Sequence, residues 1–254
     1  MSVLDDIVAA KKGRLGRGEY GPVSPAAPAG DGAAFLASLR QPGIRIVAEI
    51  KQRSPSAGEI LPGADGKIET ISLAYRRGHA AALSVVVEED FFGGKPAWLP
   101  RAKSLSGLPA LLKDFVVCER QLDFAVSLGA DAVLLIVRAL SDRELASLRE
   151  GARMRNLAAV VEAHGAEEVA RAAAVKPDVL GVNARDLTTF AMSLETLEAI
   201  GPSLPPGPVH LAESGVRTKA DVSRLCAAGY SAFLVGESLL RSENPEEALR
   251  ELRS

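Results

Sequence analysis

The chain has 254 residues, 47% of them hydrophobic, enough apolar material for one α/β barrel or two small domains. With 30 Lys and Arg against 32 Asp and Glu, there is no basic excess to neutralise a nucleic-acid backbone or hold an anionic membrane surface, so neither is expected as a partner. The two cysteines, Cys118 and Cys226, lie far apart and indicate neither a disulfide framework nor a zinc knuckle, which fits a reducing cytoplasm.

The N-terminal stretch "MSVLDDIVAAKKGRL" has acids where a signal peptide needs positive charge, and no later segment approaches membrane-spanning length, so a soluble cytoplasmic protein is expected. Helical patterns at "VLDDIVAAKKGRL" and "GAAFLASLR" flank the Pro- and Gly-rich "GPVSPAAPAGDG". Leu4, Ile7, Val8 and Leu15 form an apolar stripe that needs a partner. Residues 1–43 are therefore expected to be a helical extension that folds over the mouth of the domain that follows.

Short apolar runs then recur at 44–50, 82–88, 110–115, 132–137, 158–163, 179–184, 209–214 and 232–236. Between them lie amphipathic segments such as "CERQLDFAVSLGAD" and "TKADVSRLCAAGYS", often closing on Gly or Pro. Parallel strands need such crossovers, and burial on both faces makes them read as near-continuous Val, Ile and Leu. Eight strands in this alternation predict an α/β fold, a single (β/α)8 TIM barrel spanning 1–254 with the helical extension packed on it. A doubly wound open sheet is the alternative, but no G-x-G-x-x-G follows the first strand.

On a barrel, chemistry gathers at the carboxyl ends of the strands. Here those ends carry Glu49 and Lys51, Glu88, Lys113 and Asp114, Glu162, Asn183 and Arg185, and Glu213 and Ser214. Glu49 and Lys51 alternate to the same side as Val47. The fourth strand ends without charge, offering an apolar wall through Leu134 and Ile136. Gly215 and Gly236 follow the last two strands, where backbone N–H groups commonly bind phosphate on this fold; a phosphorylated small molecule is the expected substrate. His79, His164 and His210 have no metal-binding spacing, so no metal is expected; His164 lies near the rim, two residues after Glu162.

The motifs "VAEIKQRSPSAG", "LLKDFVV", "GADAVLLIV", "VVEAH", "GVNARDL", "AESGVRTKADV" and "FLVGESLL", in this order and spacing, resemble the indole-3-glycerol phosphate synthase family of tryptophan biosynthesis. The resemblance spans essentially the whole chain, including "LDDIVAAKK". It implies ring closure of 1-(2-carboxyphenylamino)-1-deoxyribulose 5-phosphate with loss of carbon dioxide and water, and no metal or organic cofactor.

By the same resemblance Lys113 matches the general acid and Glu162 the general base. Glu49 supports the catalytic centre, while Lys51 reaches the phosphate and carboxylate end. Asn183, Arg185, Glu213 and Ser214 hold substrate hydroxyls and order the charges. Ser56, Gly215, Gly236 and the backbone of Glu237 match the phosphate site, and Phe92, Phe115, Leu134, Ile136 and Leu187 the pocket for the aromatic ring. Ala57, Ala184 and Val87 stand where the family usually has Lys, Asn and Thr, which bears on how the loop after the first strand closes. A monomer is expected, with other tryptophan-pathway enzymes as candidate associates. Two rival barrel activities are a Schiff-base aldolase using Lys51 or Lys113, and phosphoribosylanthranilate isomerase, whose family places a cysteine at the end of strand one.

Overall fold

A computed structural model describes residues 2–20, 30–185 and 192–254. Eight parallel strands close on themselves: β1 (Arg45–Ile50), β2 (Ala82–Val86), β3 (Ala110–Lys113), β4 (Ala132–Ile136), β5 (Ala158–Ala163), β6 (Val179–Asn183), β7 (Val209–Glu213) and β8 (Ala232–Val235). Each pairs with its chain neighbours, and β1 pairs with both β2 and β8, so the sheet has no free edge. The alternative open sheet is thereby excluded.

Helices α3 (Ala64–Arg77), α4 (Trp98–Ser106), α5 (Glu119–Ser127), α6 (Asp142–Met154), α7 (Ala166–Ala174), α8 (Leu194–Ile200) and α9 (Lys219–Ala227) link successive strands. Beyond β8 come α10 (Glu237–Arg241) and α11 (Pro245–Arg253). Local sequence fixes several starts: Ser141 with Glu144 and Thr218 with Asp221 form reciprocal capping boxes that satisfy otherwise unpaired N–H groups.

Strand alternation divides the apolar residues into two clusters. Ile46, Ala48, Leu83, Leu112, Val133 and Val161 face the helices. Val47, Leu111, Leu134, Val160, Leu211 and Leu234 fill the barrel interior. Interior packing therefore ends just below the charged residues, and that boundary is the floor of the site.

The two helices that precede the barrel, α1 (Val3–Gly16) and α2 (Gly32–Leu39), go to opposite ends of it. Leu4 and Ile7 of α1 line the mouth at the carboxyl ends of the strands. Phe35 and Leu39 of α2 instead pack with Ala82, Ala132, Ala158 and Ala232, the residues that begin or lie near the beginning of their strands. The expectation that the whole extension covers the mouth is thus corrected for α2, which closes the base. Small side chains at the strand starts leave the room that Phe35 occupies.

Candidate active site

Four charged side chains form one layer across the mouth: Glu49, Lys113, Glu162 and Glu213, from β1, β3, β5 and β7. Two residues earlier on the same strands stand Val47, Leu111, Val160 and Leu211, all in the interior cluster. Barrel interiors stack in layers contributed by alternate strands, so the charges occupy the next layer up from the core. They are inward-facing and largely buried, with Glu49, Glu162 and Glu213 at 3%, 3% and 1% exposure.

Lys113 is the hub. Its Nζ lies 2.9 Å from Glu162 Oε2 and 2.5 Å from Glu213 Oε2. Burial works against the ammonium charge, but Glu162, Glu213 and Glu49 outweigh it and raise the Lys113 pKa above its ordinary value. The two carboxylates that share it differ. Glu162 has additional partners, with Asn183 Nδ2 3.2 Å and His164 Nε2 3.2 Å from its Oε1, and despite burial its pKa falls well below the usual range, chiefly through Lys113. Glu213 has Lys113 on one oxygen, while its Oε1 is buried without a hydrogen bond. Burial, only partly offset by Lys113, pushes the Glu213 carboxyl up to about 8.

Glycine makes this crowding feasible: a Cβ on Gly181 would stand 2.3 Å from Glu213 Oε1, and one on Gly236 would stand 2.7 Å from Glu49 Oε1. Glu49 is paired with Lys51 at 2.6 Å and has Ser84 Oγ 3.4 Å from its other oxygen. On the far side of the mouth, Asn183 Oδ1 accepts the Arg185 N–H at 3.0 Å and Arg185 Nη1 donates to Ser56 Oγ at 2.8 Å. That contact ties the end of β6 to the loop after β1. Within this loop Arg53–Ser54 and Gly58–Glu59 form a short antiparallel pair.

A cavity of about 490 Å³ opens at the mouth, and the catalytic and substrate-binding candidates named from the sequence line it, apart from Leu187, which lies outside the described residues. Phe92 and Phe115 stand 5.9 Å apart at a tilt of 39°, next to Leu134 and Ile136 on an apolar side. Opposite them the walls are Ser56, Ser214, Gly215, Gly236 and Glu237. Ser214 has φ 66°, a conformation that costs a non-glycine residue about 1 kcal/mol or more, and turns the chain sharply at the end of β7.

Glu88 is a correction. It does not line the cavity; its carboxylate accepts the N–H groups of Phe91 and Phe92 at 2.7 and 3.0 Å. It also faces Lys11, a buried lysine of α1 whose Nζ lies 3.3 Å from Glu88 and 2.7 Å from Asp114. Asp114 in turn accepts the Phe115 N–H at 2.8 Å. The Lys11 ammonium therefore holds the two carboxylates that brace the aromatic pair.

Sequence reasoning missed Lys11, although it extends the stripe of Leu4 and Ile7 by one helical turn. It also missed Arg217 and Arg241, which add guanidinium groups to the cavity wall; Arg217 stands two residues past Gly215. Among the described residues, no group of three or more His, Cys, Asp and Glu is placed to hold a metal ion, and no helix is long and apolar enough to cross a membrane.

Residues 23–252 match the family model described as indole-3-glycerol phosphate synthase. "Indole-3-glycerol phosphate synthase 2" of Ralstonia nicotianae is 41% identical over 82% of this chain and 77% of its own length. The indole-3-glycerol phosphate synthase of Acidithiobacillus ferrooxidans is 42% identical over 86% of this chain and 82% of its own. Among solved structures, a 3-hexulose-6-phosphate synthase superimposes with a TM-score of 0.62 at 17% identity, covering 83% of this chain and 98% of that one. Orotidine 5'-phosphate decarboxylase from Pyrococcus horikoshii does so at 0.59 and 13%, covering 83% and 99%; these two likenesses concern the fold alone.

Proposed function

This chain belongs to the indole-3-glycerol phosphate synthase family, and from that premise we propose that Lys113 is the general acid and Glu162 the general base of its ring-closing carboxy-lyase reaction. The substrate is 1-(2-carboxyphenylamino)-1-deoxyribulose 5-phosphate. A bond forms between its ketone carbon and the ring carbon that bears the carboxylate, carbon dioxide leaves, and the former ketone oxygen departs as water. The observation that carries this reading is the Lys113 ammonium held between Glu162 and Glu213 at the floor of the cavity.

Each step asks for a group that stands there. A charged ammonium in a water-poor site can protonate the ketone oxygen during ring closure and protonate the hydroxyl that leaves. The Glu162 carboxylate, kept ionised by its neighbours, can remove the proton that restores aromaticity and steady positive charge on the ring intermediate. The same setting argues against a Schiff-base aldolase, which needs a lysine whose pKa is depressed; here the flanking carboxylates raise that of Lys113.

Substrate orientation follows from the two walls. The aromatic ring lies against Phe92, Phe115, Leu134 and Ile136. The phosphate sits among Ser56, Gly215, Gly236 and the backbone of Glu237, with Lys51 and Arg185 at its side. Asn183, Ser214 and Glu213 order the hydroxyls and the charge network between these ends, and Glu49 fixes Lys51. We read residues 1–254 as one domain, a cytoplasmic monomer whose partner is this phosphorylated substrate, with association to other tryptophan-pathway enzymes a secondary role. Mixing the protein with the substrate should produce indole fluorescence; no fluorescence with folded protein would refute the reading.

A further inference from the structure

His164 has no part in the chemistry above, yet it is the side chain placed to govern Glu162. It follows the last residue of β5, and its side chain is only 2% exposed. Its backbone N–H donates to Glu168 Oε2 at 2.9 Å, and its ring Nδ1 lies 3.3 Å from the same oxygen. Glu168, in the first turn of α7, is held from outside by Arg138 Nε at 2.7 Å. These contacts account for one ring nitrogen as part of the α7 entry. They do not account for Nε2, which is buried without an aligned hydrogen bond and lies 3.2 Å from Glu162 Oε1.

A buried nitrogen without a hydrogen bond costs free energy unless some state of the protein engages it. Catalysis supplies that state. The groups facing Glu162 are Lys113 from β3, Glu213 from β7, Asn183 from β6 and His164. When Lys113 turns its proton toward the substrate oxygen, Glu162 loses its strongest cationic partner, and catalytic hydrogen bonds that are poorly aligned in a free enzyme tighten once substrate is bound. His164 is then the one flanking cation, since the two carboxylates on either side of it, Glu162 and Glu168, outweigh burial and push its pKa up to about 9.

Resting on the assignment of Glu162 as base, we propose that His164 is a positioning residue: its imidazolium bridges Glu162 and Glu168 and, as Lys113 engages substrate, closes its Nε2–H onto Glu162 Oε1 to hold the carboxylate aimed and ionised. No proton need leave His164 in this role. Glu168 fixes the ring through Nδ1, as an orienting carboxylate does for a catalytic histidine.

The test is the acid limb of kcat, which reports the substrate-bound enzyme in which the contact closes, in His164→Gln, His164→Asn and Glu168→Gln. That limb reports protonation of the base, and removing an opposite charge within contact distance raises a carboxyl pKa by about 1 to 3 units, so in the His164 variants the limb should move to higher pH by that amount. Turnover at neutral pH should fall while KM stays near wild type. Glu168→Gln should move the limb the same way by less, and its place in the first turn of α7, where Arg138 also reaches it, keeps the test alive if His164 variants fold poorly. A role confined to stability would lower the melting temperature and leave the limb where it is, and that result would overturn the proposal. Glu162→Gln in the same assay separates the two ideas. If it abolishes turnover while the His164 limb is unmoved, only the positioning role fails; if it turns over normally, the base assignment fails first.

Discussion

Lys113 reaches across the barrel to Glu213 at 2.5 Å, so the ends of β3 and β7, opposite each other in the closed barrel, are joined by an ion pair over the core. Glu162 is drawn to the same ammonium at 2.9 Å, and two carboxylates sharing one cation cannot titrate alike. The one with more donors stays ionised. Glu213, with an unpartnered oxygen set against Gly181, keeps a proton more readily.

The first prediction concerns that proton. Glu213 has its folded pKa raised from 4.5 to about 8, so the stability it contributes is present below the unfolded value and is lost as pH rises through about 8. Glu213→Gln keeps the shape and cannot ionise. Its stability relative to wild type should therefore improve between about pH 4.5 and about pH 8. Urea titrations of both proteins across that range check it; a constant difference would mean that Glu213 titrates normally.

Lys113→Met discards the charge and keeps the length. Loss of a positioned proton donor should lower kcat by about 10²- to 10⁴-fold with a modest change in KM. Because the raised pKa keeps Lys113 charged beyond the ordinary lysine range, an alkaline limb near pH 8 to 9 in the wild type is expected from Glu213 or His164 and not from Lys113. Glu162 and Glu213 lose their shared cation in the variant, so its stability should fall further as pH rises and they are forced to ionise. Wild-type turnover in Lys113→Met would move the acid role to Lys51.

The barrel was legible because parallel strands buried on both faces announce themselves as apolar runs; β5 has the expected limits, Ala158–Ala163. Other runs overshoot their strands. The expected 110–115 ends at Lys113 and the expected 132–137 at Ile136, since Phe115, packed against the interior cluster, and Val137, fully buried, stay in the core after the ladder stops, and burial, not pairing, is what hydropathy records. The alternation that puts Glu49 above Val47 was readable from one strand. That all four odd strands carry charge in one layer becomes visible only with barrel closure. Lys11 was hidden by its type, a lysine in an apolar stripe, and Glu88 was misplaced because a strand-end acid has the same pattern whether it faces the axis or a covering helix. The helical stripe of α2 required burial without specifying which end of the barrel supplies it.

The two ends of the extension should separate in experiment. Phe35→Ala empties a site under the barrel, where Phe35 is fully buried, and such truncations cost about 3 to 5 kcal/mol; KM should stay near wild type because the site is at the opposite end. Lys11→Met leaves Glu88 and Asp114 without their cation, a loss of about 3 to 5 kcal/mol for a broken buried ion pair, and it also frees the braces of Phe92 and Phe115. KM should rise in Lys11→Met alone. Denaturation curves and steady-state kinetics on both variants check this; equal KM effects would mean that α1 does not shape the aromatic wall.

The phosphate end is tested by contrasting two glycines. Gly215 has φ 82°, so Gly215→Ala is strained, yet its Cβ would meet only Leu194, at 3.0 Å, a side chain that can give way. Gly236→Ala would place a Cβ 2.7 Å from Glu49 Oε1 and 3.0 Å from Glu49 Cβ, displacing the carboxylate that fixes Lys51 and filling the space through which backbone N–H groups approach the ligand. Inorganic phosphate should compete with substrate in the wild type. Gly236→Ala should weaken that inhibition and raise KM, and because Glu49 also borders the Lys113 cluster it should lower kcat as well. Gly215→Ala should lower melting temperature with a smaller effect on phosphate inhibition. If Gly236→Ala bound phosphate as the wild type does, the phosphate would have to sit elsewhere on the rim, and the guanidinium groups of Arg217 and Arg241 on the same cavity wall would be the side chains to test next.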